Sequence, residues 1–213
     1  MRGHARLAPS AFEIAPLAVT ERGAAVDLLA RAFQDNPLNL AAIASARARR
    51  RRRSNAHGMR MLLPVAATHG LVLAAHAGGV LAGVLVAAPP NAYPFPAPRL
   101  GARLWGVLGQ GVRVAARWRE VFDALDAHHP REPHWYLGTL GVAPEAQRRG
   151  VGTVLAARWL DIVDAAGLPA WLETDRSENV GFYAGLGFAV VDELDVIGVH
   201  VFRLRRARRG EIG

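Results

Sequence analysis

The chain predicts an α/β domain with a mixed, mostly antiparallel sheet of about seven strands flanked by four or five helices. Three observations predict this. Residues 135–166 read as a strand, a glycine turn and a helix. The stretches 71–88 and 188–204 read as antiparallel hairpins, and apolar residues elsewhere recur at helical spacing. The 213 residues, about half of them hydrophobic, suffice for one domain with an ample core. Its expected limits are residues 10–205, after a disordered segment 1–9 and before a basic tail 206–213.

Phe12 to Leu17 reads as a short first strand. Thr20 is a good helix cap, and Val26, Leu29, Ala30 and Phe33 form a stripe that ends near Asn36-Pro37. A second helical region, Leu38 to about His69, carries an arginine run and is expected to break near Ser54-Asn55. Strands over Leu71–His76 and Val80–Ala88 turn at Ala77-Gly78-Gly79. The glycines and the two histidines, His69 and His76, argue against a membrane helix in this apolar stretch, and no membrane partner is expected. Residues 89–101 hold five prolines with Tyr93 and Phe95, which forbids helix or central strand. That loop is either a connector or a lid whose aromatics wall a substrate pocket. From Leu100 to Leu125 the apolar spacing predicts one long amphipathic helix, with Trp105 and Trp118 expected in the core. His128, His129 and His134 show no metal-ligand spacing and read as surface or loop positions.

Trp135 to Val142 is the central strand, followed by a short turn over Ala143–Ala146. Apolar residues at Val151, Val154, Leu155, Trp159, Ile162, Val163 and Ala166 then mark a helix that Gly167 and Pro169 stop. A glycine turn entering a helix aims free backbone N–H groups and the positive end of the helix dipole at one spot, which suits a phosphate. The glycines of Gln147-Arg148-Arg149-Gly150-Val151-Gly152 fit that reading, and they equally fit a tight packing turn. The spacing is neither that of a P-loop nor that of a dinucleotide fold. Ala170–Thr174 reads as the next strand, Asp175–Glu178 as a polar loop, and Asn179 opens a short helix through Tyr183. Gly185 and Gly187 end it, before the last hairpin over Phe188–Val196 and Val199–Leu204.

Composition excludes several chemistries. With no Cys there is no disulfide, no zinc-thiolate site and no thiol nucleophile. All 26 basic residues are Arg, so no Schiff-base lysine exists. The N-terminus lacks a signal-peptide pattern, and a reducing, cytoplasmic setting is expected. The net charge of +8 would attract an anionic ligand. Five consecutive arginines, Arg49–Arg53, circle a helix and cannot form one groove-reading face, so they read as solvated surface, and nucleic acid is an unfavoured partner.

Gln147 to Gly152 resembles the pyrophosphate loop, Gln/Arg-x-x-Gly-x-Gly/Ala, of the GNAT N-acetyltransferases. Trp171-Leu172-Glu173-Thr174 followed by Asn179 to Phe188 resembles the second signature of that superfamily, in matching order and spacing. Pro130 through Phe188 is similar in particular to the puromycin N-acetyltransferase branch. The resemblance implies the acyl-CoA N-acyltransferase fold, with two central strands splayed apart at a β-bulge. It implies acetyl-CoA as cosubstrate, lying along Leu140, Gly141 and Val142, with the Val142 N–H facing the thioester oxygen. Backbone N–H groups from Arg148 to Thr153, with the charges of Arg148 and Arg149, would take the pyrophosphate. Asn179 would bind the cofactor arm or cap its helix, and Tyr183 would protonate the leaving thiolate or serve only as a core tyrosine. Dimers are common in the superfamily.

Glu173, between apolar neighbours, is the candidate general base; it reads as well as a structural carboxylate, with His134 the runner-up and a water chain the third reading. Tyr93, Phe95, His134 and Tyr136 are the candidate substrate-pocket residues. The expected activity is direct acetyl transfer to a small primary amine, such as an antibiotic or aminoacyl-type metabolite, in self-resistance or biosynthesis. The rivals are a protein or peptide amine acetyltransferase, which needs an open groove, and a non-catalytic acyl-CoA-binding protein associated with nucleic acid.

Overall fold

Seven strands do form among the described residues, and they align in the order β1-β2-β3-β4-β5-β7-β6. In the computed structural model, which describes residues 12–211, they are β1 (Glu13–Pro16), β2 (Leu71–Ala77), β3 (Val80–Ala88), β4 (Trp135–Val142), β5 (Ala170–Thr174), β6 (Ala189–Val196) and β7 (Val199–Arg206). The expected disordered segment 1–9 lies outside the described residues. Every pairing is antiparallel except β4 with β5. Both hairpins close through two left-handed residues, Gly78-Gly79 and Ile197-Gly198, whose twist matches that of paired strands.

Among the described residues, seven α-helices pack around this sheet: α1 (Arg22–Ala32), α2 (Pro37–Ile43), α3 (Ala48–His69), α4 (Leu100–Gln110), α5 (Val112–Ala127), α6 (Val151–Ala166) and α7 (Ser177–Ala184). None of the described helices is long and apolar enough to cross a membrane. The two faces of the sheet are told apart by its glycines. A Cβ on Gly83 would sit 2.7 Å from Val151 Cγ1 of α6, and one on Gly141 would sit 2.4 Å from Leu29 Cδ2 of α1. So α6 covers one face and α1 the other, each at a backbone-close approach that only glycine permits. Replacing Gly141 with Ala forces a methyl into the fully buried Leu29. The expected cost is about 1–3 kcal/mol, the range for overpacking a core. Urea unfolding of Gly141→Ala against wild type measures it.

Several local expectations are corrected by tertiary contacts. The second helical region breaks at left-handed Ala44, not at Ser54-Asn55. Ser54 and Asn55 instead lie buried inside α3, where Asn55 accepts a hydrogen bond from Asn39 at 2.6 Å and donates to the Ala30 carbonyl. The arginine run is solvated except at Arg51, which is buried and donates to the carbonyls of Gln34 and Ser45 and to Asp35. The helix expected over 100–125 is two helices, because Gly111 adopts φ 92°, ψ 145° between them. Trp105 is not in the core: it is 74% exposed. The basic tail begins as the end of β7, with Arg206 and Arg209 both paired to Asp164 of α6.

Candidate active site

The site begins where β4 and β5 part. They pair over only three residues, Trp135–Leu137 against Ala170–Leu172. Next on β4 comes Gly138, the extra residue of a β-bulge: Leu137 faces Ala87 of β3 while Thr139 faces Val86. The bulge shifts the alternation of the strand. Ala143 N–H donates to the Ala82 carbonyl of β3 at 2.9 Å, so by period two the Leu140 and Val142 N–H groups point away from β3 into the opening. The second central strand diverges there, leaving unpaired donors along a cleft.

The foot of the cleft is the glycine turn. Gln147 Nε2 donates to the Val142 carbonyl at 3.2 Å and ties the turn to the strand. Arg148 and Gly150 both take positive φ, 60° and 96°, and Gly150 caps α6. The first intrahelical bond runs from the Val154 N–H to the Gly150 carbonyl. The N–H groups of Val151, Gly152 and Thr153 are therefore free of intrahelical partners at the positive end of the helix. Above them a Cβ on Gly152 would meet only Val142 and Phe182, at ordinary contact distances of 3.6 and 3.8 Å. The space over the turn is thus left open by the protein. A diphosphate on an extended amide-bearing arm fits this arrangement: an anion at the helix end, and donors along the cleft for the arm.

Tyr183, on α7, stands near-buried with its ring edge-on to Phe182 and Phe188. Burial alone raises its pKa above the ordinary phenol value, so the hydroxyl keeps its proton across the accessible pH range. Asn179 does not open α7. It is the third residue of that helix, and its amide donates to the Thr174 hydroxyl at 3.1 Å, linking α7 to the end of β5.

Across the sheet opening lies a cavity of about 930 Å³. Its walls come from α3, α4, α5, the 89–99 loop and the central strands, with Met59, Leu62, Tyr93, Phe95, Trp118 and Phe122 among the apolar groups. Glu173, Asp126 and Asp175 supply carboxylates. The 89–99 loop is pinned over this space by two aromatics. Phe95 packs on Gly70, where a Cβ would lie 2.7 Å from its ring, and Tyr93 stacks on His129 and leans on Tyr136 at 4.4 Å each.

Glu173 is held by side chains. Tyr136 donates to its carboxylate at 2.5 Å, and Arg203 Nε stands 3.8 Å away. Burial raises the Glu173 pKa above the ordinary carboxylate value, against the lowering pull of the Tyr136 hydrogen bond and the Arg203 charge. Burial likewise pushes the His129 imidazole down to about 4, with the charges of His134 and Arg203 adding to the effect, so it is neutral at pH 7.

Of the four expected pocket residues, Tyr93, Phe95 and Tyr136 line the large cavity. His134 does not. It is buried behind Tyr136, beside a small void of about 70 Å³, with its Nδ1 2.6 Å from the Glu132 carbonyl and its ring edge-on to Trp171. It is therefore neither a surface residue nor part of the lining of the large cavity. His129, also read as a surface position, belongs to the same aromatic cluster. Sequence reading missed Asp126 and the wall formed by Trp118 and Phe122. The signal available was the stripe of α5, which serves a cavity and not a solid core.

A sequence model of the acetyltransferase (GNAT) family matches residues 60–188, so the chain belongs to that family and is an acetyltransferase with acetyl-CoA as cosubstrate. Solved structures share its fold. A histone acetyltransferase HPA2 and related acetyltransferase from Corynebacterium glutamicum is 18% identical with a TM-score of 0.69, over 95% of this chain and 99% of that one. The PaiA N-acetyltransferase of Thermoplasma acidophilum, solved in complex with coenzyme A, is 16% identical with a TM-score of 0.57, over 92% and 98%. The ribosomal-protein-S18-alanine N-acetyltransferase of Escherichia coli is 15% identical with a TM-score of 0.55, over 94% and 97%.

The turn makes a direct prediction. Gly152→Ala should be tolerated, since its methyl meets only ordinary contacts. Gly152→Val places a branched side chain over the free N–H groups. It is expected to raise the KM for acetyl-CoA by about tenfold or more, a loss of about 1.4 kcal/mol, with the fold unchanged by circular dichroism.

Proposed function

We propose that this chain acetylates the primary amine of a small molecule with a bulky apolar body, in a ternary complex with acetyl-CoA. The observation that carries the reading is the large aromatic-walled cavity, roofed by the pinned 89–99 loop, whose inner end holds buried Glu173 beside the strand opening. An apolar body suits the walls, and an ammonium head suits the carboxylates. A polycation such as an aminoglycoside would have to desolvate many charges against Met and aromatic walls. Similarity to the puromycin-acetylating branch adds weight to an aminoacyl-type or antibiotic amine.

In this reading bound acetyl-CoA supplies a thioester acetyl group to the strand opening. The N–H groups of Val151, Gly152 and Thr153, with Arg148 and Arg149, hold the diphosphate. Leu140 and Gly141 line the arm, Asn179 reaches it from α7, and the Val142 N–H donates to the carbonyl oxygen. Glu173, ionised, takes one proton of the ammonium group, with Tyr136 keeping that carboxylate aimed; the second amine proton passes to solvent as the C–N bond forms and the C–S bond breaks. Tyr183 donates its proton to the departing sulfur, and its unshared phenolic proton suits that task. No Cys is available to carry the acetyl group, so the amine attacks directly.

The test is thiol release from acetyl-CoA across a panel of puromycin-like and arylalkyl amines, aminoglycosides, amino acids and peptides. Turnover confined to the apolar primary amines is expected. Preference for a peptide N-terminus would assign the chain to protein acetylation instead.

A further inference from the structure

The helix α4 carries an apolar face that none of the described residues covers. Its inner side packs on α3 at backbone-close range: a Cβ on Gly106 would lie 2.1 Å from Met61 Sδ, and one on Gly109 would lie 2.2 Å from the His57 ring. Its outer side presents Leu104, Trp105 and Leu108, which are 56, 74 and 77% exposed, continued by Leu100 and Val112. No polar side chain interrupts that outer stripe. The chain segment that carries this face, up to the middle of α5, has charges of one sign. Residues 36–119 include twelve arginines and no Asp or Glu. Five of them are exposed: Arg99 and Arg103 at the start of α4, and Arg113, Arg117 and Arg119 on α5, with Arg103 and Arg119 also reaching the cavity wall. Only Arg119 among these five pairs with a carboxylate of the described residues, Asp123 at 3.5 Å.

We propose that this face docks on an anionic phospholipid bilayer. A Trp and Leu stripe flanked by arginines is the composition of a helix that lies in the headgroup plane, its apolar side in the acyl boundary and its cations among the phosphates. A second copy of the chain fits less well. A symmetric contact through α4 would set the same arginines face to face with no acidic residue from this segment between them. A spanning length of apolar helix is what the described residues lack, and a surface helix needs no such length. Val107 and Gln110, on the inner side of α4, line the acceptor cavity, so docking sets that cavity beside the headgroups.

Co-sedimentation of the full chain with vesicles tests this. Vesicles of equimolar phosphatidylglycerol and phosphatidylcholine should pellet the wild type, and pure phosphatidylcholine vesicles should bind it about tenfold or more weakly. The double variant W105E/L108E should lose binding about tenfold or more, and R99A/R113A should lose it in part, with added salt acting in the same direction. Trp105 and Leu108 touch neither the cavity nor the strand opening, so the vesicle-free thiol-release rate and thermal transition of W105E/L108E should match wild type. Absence of pelleting, or pelleting that W105E/L108E leaves intact, overturns the proposal. So does a wild-type dimer that W105E/L108E converts to monomer, which assigns the face to a second copy.

Discussion

Tyr183→Phe is expected to lower kcat by about 10² to 10⁴, the usual worth of a positioned proton donor. The physical basis is the state of this phenol. It is buried, its pKa is raised by burial alone, and no hydrogen bond contributes to that shift. Removing the hydroxyl therefore leaves no protein partner unsatisfied, and the ring packing against Phe182 and Phe188 is retained. Stability should change little while turnover falls. The KM for acetyl-CoA should stay near wild type, because in the proposed role the hydroxyl acts on the departing sulfur and not on the bound ground state. Parallel thermal unfolding and steady-state kinetics separate the two effects. A variant with wild-type kcat would reduce Tyr183 to a core residue.

Glu173→Gln is expected to cost about 10² or more in kcat/KM and to change the pH profile as well. A base works only when ionised. Burial raises the Glu173 pKa above the ordinary carboxylate value, so activity should fall as pH drops through that raised value. The acidic limb of the wild-type profile should therefore lie above the ordinary carboxylate range, and Glu173→Gln should abolish it. Gln keeps the shape and can still accept the Tyr136 hydrogen bond, so a merely structural Glu173 would leave the profile unshifted. His129 cannot supply that limb near neutrality, since its pKa is pushed down to about 4. Tyr136→Phe should shift the limb without removing it, because it releases the hydrogen bond that lowers the Glu173 pKa.

The glycine turn of the candidate site was largely legible in the sequence, and the walls of its cavity were not. Gly150, Gly152 and the turns at Gly78-Gly79 and Ile197-Gly198 answer to local backbone physics, which a short window of residues expresses. The bulge at Gly138 lies within a stretch read as a plain strand, and the resemblance alone pointed to a splay. Gly111 broke an expected helix because a glycine within a continuous stripe carries no local sign of the φ it will adopt. Ser54-Asn55 looked like a break because polar pairs often punctuate helices; their partners Asn39 and Ala30 are fixed only by the packing of α1, α2 and α3. The cluster of Tyr93, His129, His134, Tyr136 and Glu173 draws on three separate chain segments. No spacing rule joins residue 93 to residue 173. Trp105 misled for the opposite reason: a helical apolar stripe announces a buried face, and here one such stripe faces outward while its neighbour lines a cavity.

The most direct measurement is the initial rate of thiol release with acetyl-CoA and an arylalkyl primary amine both varied. Amine-dependent release with intersecting double-reciprocal lines is the predicted result, since both substrates must occupy the strand opening and the cavity together. Acetyl-CoA binding without amine-dependent release, or parallel lines of a covalent acyl-enzyme route, would contradict it.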